Sequence, residues 1–76
     1  MSEIHMGKEH LRALRAELTS KASRIKLDLR NLGERSVGIG EHVHLSEDYA
    51  ILINKLDEIY SQTETIDRVT RELGWT

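Results

Sequence analysis

Seventy-six residues, 32% of them charged, carry a formal net charge of −2 and include no cysteine and no proline. Disulfides and thiolate metal sites are therefore excluded, and no apolar run is long enough for a signal peptide or a membrane span. A chain this short sits near the lower limit for burying an adequate core alone, so without staples it points to self-association.

The first element is a helix predicted over about residues 2–33. Ile4, Leu11, Leu18, Ile25 and Leu32 recur every seven residues, which keeps one seam of an α-helix apolar and asks for a partner helix. Its finer seam is Leu11, Leu14, Leu18, Ala22, Ile25, Leu29 and Leu32, with a stutter between Leu18 and Ala22 that straightens the supercoil. Ala22 permits close approach of the opposing helix. Gly7 weakens the opening turn, and Gly33 is placed as the residue that ends the helix.

Residues 34–45 read as a loop, long for a helical hairpin and so a place to seek function. Val37, Ile39 and Val43 alternate with polar residues there, and Gly40-Glu41 would suit a type II′ turn. An ordered loop capping the end of the bundle fits the pattern better than a small β-hairpin. Glu41, His42 and His44 adjoin one another, and in an extended segment both imidazoles point to one side. Imidazole and carboxylate ligands together suit zinc or a similar borderline cation. His5 and His10, five apart, are poorly spaced for one helix face.

The second helix is predicted over 46–73. Leu45, Tyr49, Leu52, Leu56, Ile59, Thr63, Ile66, Thr70 and Leu73 step 4 and 3 throughout. Ser46 reads as its N-cap, Glu47 and Asp48 favour the dipole of the first turn, and Gly74 is a stop. Thr63 and Thr70 on the seam, together with Gly7 opposite, place the tight end of the hairpin at the loop. The architecture expected is all-α: one domain over 1–76, an antiparallel helical hairpin dimerising into a four-helix bundle. Leu27, Ile51, Ile53, Tyr60 and Val69 lie off the seam. Ile53 and Tyr60 widen the stripe of helix two, and with Leu52, Leu56, Ile59, Leu18 and Ile25 they form the expected dimer interface.

Charge is divided unevenly. Residues 1–38 hold eight of the eleven Lys and Arg against five acids, and residues 39–76 hold three against eight. A basic helix flanking an acidic one explains most of this. The alternative is RNA binding through Lys8, Arg12 and Arg15, which share a face but have no aromatic among them to stack bases. No nucleophile motif, cofactor loop or paired acid–base set is present, so neither an enzyme nor a cofactor is expected. The reading from residues alone is a cytoplasmic, non-enzymatic adaptor with a homodimeric core and an unidentified protein partner, without membrane contact.

Residues 22–34, Ala-Ser-Arg-Ile-Lys-Leu-Asp-Leu-Arg-Asn-Leu-Gly-Glu, contain Lys26, Asp28, Leu29, Leu32 and Glu34. This stretch resembles the end of the first helix in a family of small Rop-like proteins encoded in nitrogen-fixation operons. The resemblance implies a four-helix dimer and an accessory role in nitrogen fixation, with Lys26, Asp28 and Glu34 as the residues carried over. The chain departs from that family in lacking its Leu-Pro turn and the tryptophan that opens helix two; its one tryptophan is Trp75.

Overall fold

The computed structural model describes residues 3–39 and 45–75, with side chains placed for 6–34 and 46–75. Two helices, α1 (Glu3–Ile39) and α2 (Leu45–Glu72), pack against each other as a hairpin. The molecule measures 58 × 17 × 13 Å. An α-helix with its side chains is about 10–12 Å across, so the hairpin is a single layer one helix thick. Its radius of gyration, 17.3 Å, far exceeds the roughly 11 Å of a compact domain of this length. No described helix is long and apolar enough to cross a membrane.

The heptad ladders do what their spacing requires. Among the described residues, Leu18 and Ala22 of α1 and Ile59 and Ile66 of α2 are buried, with Leu11, Ile25 and Leu56 packed around them. Ala22 is only 5% exposed, covered by the facing helix. Thr63 and Thr70 donate their hydroxyls to the Ile59 and Ile66 carbonyls at 2.9 and 2.7 Å. A threonine bonded this way brings no unsatisfied hydroxyl to the seam.

Two expectations need correction. Helix α1 does not stop at Gly33 but continues to Ile39, so residues 34–39 belong to the helix rather than to a loop or a β-hairpin. Gly33 serves packing instead: a Cβ there would lie 2.9 Å from the Tyr49 Oη, and the missing side chain makes room for that phenol. Among the described residues Gly74 is the glycine with positive φ. Helix α2 opens at Leu45, which makes Ser46 the second residue of the first turn rather than its cap. Among the described residues, those that are buried lie at mid-length and toward the open end. The seam threonines are satisfied, and Trp75 covers the open end.

Leu18 at 5% exposure and Leu27 at 54% offer a direct check on the core. Leu18→Ala should cost about 2–4 kcal/mol, enough to unfold much of so small a protein at room temperature, by the cavity it leaves. Leu27→Ala should stay within about 0.5 kcal/mol. Urea unfolding followed by circular dichroism would separate them; equal effects would contradict this core.

Candidate functional site

The site with the most chemistry is assembled at the open end by the C-terminus of α2. Gly74 adopts φ +71°, the Trp75 amide donates to the Thr70 carbonyl at 2.9 Å, and the Gly74 amide donates to the Arg71 carbonyl at 3.1 Å. These paired bonds are a Schellman motif, which satisfies carbonyls of the last turn and reverses the chain. The reversal carries Trp75 across to α1. A Cβ on Gly7 would stand 2.6 Å from Cη2 of the indole and 3.2 Å from Cζ2 and Cζ3. Gly7 is thus the seat of the ring, and the residue expected to weaken α1 has a packing purpose.

Lys8, Arg12 and Arg15 follow that seat at spacings of four and three, and they line one hollow together with Leu11, Ile66 and Trp75. Arg15 is pinned across the hairpin: its Nε donates to Asp67 Oδ1 at 2.7 Å and its Nη2 to Oδ2 at 3.1 Å. This bidentate pair, half-exposed on both sides, fixes the register of α1 on α2 at that level. The hydrogen bond to Asp67 raises the Arg15 pKa, with charge attraction adding to it. The same hydrogen bond from Arg15 holds the Asp67 carboxyl below its usual range. A depressed carboxyl contributes stability above its unfolded pKa and loses it as pH falls through the lower folded value. Arg12 pairs with Glu9 at 3.4 Å, a weak surface contact.

The other residues singled out from the sequence fall in different places. Leu18 and Ile59 are buried within the hairpin itself, and Ile25, Leu52 and Leu56 are partly buried. Ile53 and Tyr60 are half-exposed, and Asp67 continues their seven-residue column, which puts them on the Arg15–Asp67 side. Lys26, Asp28 and Glu34 are exposed, with Glu34 accepting a 3.3 Å bond from Arg30. Glu41, His42 and His44 lie outside the described residues, as does the geometry of any metal site they would form. Among the described residues no group of three or more histidine, cysteine or acidic side chains is disposed to hold a metal ion.

Trp75 is the residue that sequence reasoning missed. It stands beyond the end of α2, and only the turn at Gly74 brings it beside Lys8, Arg12 and Arg15 of α1. The readable signal was a glycine stop followed directly by a large aromatic, with a glycine waiting on the opposing helix.

Fold and site together define an antiparallel α-helical hairpin with an aromatic clasp at its open end. No family model, curated protein or solved structure matches the chain. The resemblance over residues 22–34 therefore stands on those residues alone.

The clasp can be tested by a double-mutant cycle. Gly7→Ala alone should gain nothing, because the new methyl displaces the indole. In a Trp75→Ala background the same change should stabilise by about 1 kcal/mol, the ordinary gain of alanine over glycine in a helix. Identical effects in both backgrounds would mean that the ring does not rest on Gly7.

Proposed function

We propose that this chain is a non-enzymatic adaptor: a hairpin that completes its core by pairing with a second copy and presents the resulting four-helix surface to a protein partner. The supporting observation is exposed area. The chain presents 6095 Å² to solvent, against about 4,700 Å² for a compact monomer of its mass. Two separate copies would expose roughly 4,300 Å² more than one compact dimer, a difference within the range of obligate homodimer interfaces. Met6, Leu14, Leu27, Ile51, Ile53, Tyr60 and Leu73 are all large, apolar and substantially exposed. One small hairpin has too many such residues for chance scatter to be the simplest account.

Sedimentation equilibrium of the purified protein at micromolar concentration should give twice the 8.7 kDa chain mass. A single-chain mass at every accessible concentration would remove the proposal.

A second reading draws on the hollow at the open end. Trp75 supplies the aromatic that Lys8, Arg12 and Arg15 lacked, and cations beside a stacking ring suit single-stranded RNA. Since Trp75 is the one tryptophan, its fluorescence reports directly on that hollow. Single-stranded oligonucleotides should quench it in low salt, with affinity falling steeply as salt rises; unchanged emission at saturating oligonucleotide would eliminate this reading.

A further inference from the structure

The two sides of the interhelical seam differ in what crosses them. On one side Arg15 and Asp67 bridge the helices, and Trp75 borders a hollow at the open end with Lys8 and Arg12. On the other, three hollows follow one another along the interhelical groove. The first, lined by Leu14, Leu18 and Ile66, shares Leu18 and Gln62 with the second, which is lined by Ile25 and Ile59. The second shares Asp28 with the third, where Ile51, Leu52 and Leu32 stand. The three hollows thus adjoin one another in a row along one side of the seam, and the buried core residues Leu18, Ile59 and Ile66 contribute to their walls.

We infer that this groove, between Leu14 at one end and Ile51 at the other, is the face covered by a second copy of the chain. The inference rests on the self-association proposed above and names the surface that performs it. A layer one helix thick has core on only one side of each residue, and stable domains are built from at least two layers. A second hairpin laid on the groove supplies the missing layer along the roughly 27 Å of α1 between Leu14 and Leu32, which end-to-end association would not. Charge supports a copy over an unrelated partner. The middle of the groove carries Lys21, Arg24 and Lys55 together with Asp28 and Glu58. A twofold interface brings a surface against itself, so a patch holding both signs can pair with its own image, whereas a single-sign patch would repel it. Ile53 and Tyr60 stand on the Arg15–Asp67 side and remain at the surface of that assembly.

Because the chain has no cysteine, an introduced thiol is a unique reporter. Gln62→Cys places one in the groove, and Lys26→Cys places one on the opposite side, about three helical turns along from Arg15. In the dimer, the Gln62→Cys thiol should react with a disulfide reagent about tenfold more slowly than that of Lys26→Cys, since covered thiols are inert. The gap should close on dilution into monomer. In parallel, Leu14→Glu plus Ile51→Glu should weaken the dimer in sedimentation, and Ile53→Glu plus Tyr60→Glu should leave it intact. Should the groove variant fail to fold, the thiol rates still decide the question. A wild-type dimer with equal thiol rates, or one broken only by the Ile53 and Tyr60 changes, would overturn this face and leave self-association standing. A wild-type monomer would defeat both.

Discussion

A single layer of two helices can bury only one stripe from each, and the rest of this structure follows from that limit. Among the described residues the stripe is narrow: it hides Leu18, Ala22, Ile59 and Ile66, with a few neighbours half covered. Burial of apolar area is the dominant favourable term in folding, and backbone ordering opposes it residue by residue. Two helices of 37 and 28 residues order many residues for so little burial. The hairpin therefore leaves large apolar side chains such as Leu14 and Ile51 outside its own seam.

Specific contacts fix how the two helices meet. The bidentate Arg15–Asp67 pair sets register, and being half-exposed it supplies geometry more than stability. The Trp75 ring on Gly7 closes the open end, and the Gly74 turn makes that placement possible. At the other end the Gly33–Tyr49 approach plays a comparable part. Two glycines inside α1 thus act as sockets for aromatic side chains from the C-terminal half of the chain. The helix propensity lost at each is offset by a contact that a larger residue would block.

How far the sequence could be read depended on the range of each signal. The seven-residue ladders are local, repeated and chemically uniform, so the two helices and the antiparallel hairpin were legible from them. Ala22 as a seam residue and Gly74 as a stop were legible for the same reason. Gly33 misled because a glycine after a leucine at a heptad end looks the same whether it terminates a helix or admits a neighbour. Only Tyr49, sixteen positions later, distinguishes the two. The Trp75 clasp was hidden because it joins opposite ends of the chain, and no periodicity links residues 7 and 75.

The central claim is that folding and pairing are one event. Thermal unfolding followed by circular dichroism over a hundredfold range of concentration tests it most directly. If the hairpin gains its core from a second copy, the melting temperature should rise by about 10 °C across roughly that hundredfold range, from the enthalpy expected of a dimer of this size. A melting temperature independent of concentration, with a full helical signal in the most dilute sample, would show that one hairpin folds alone and would contradict the account.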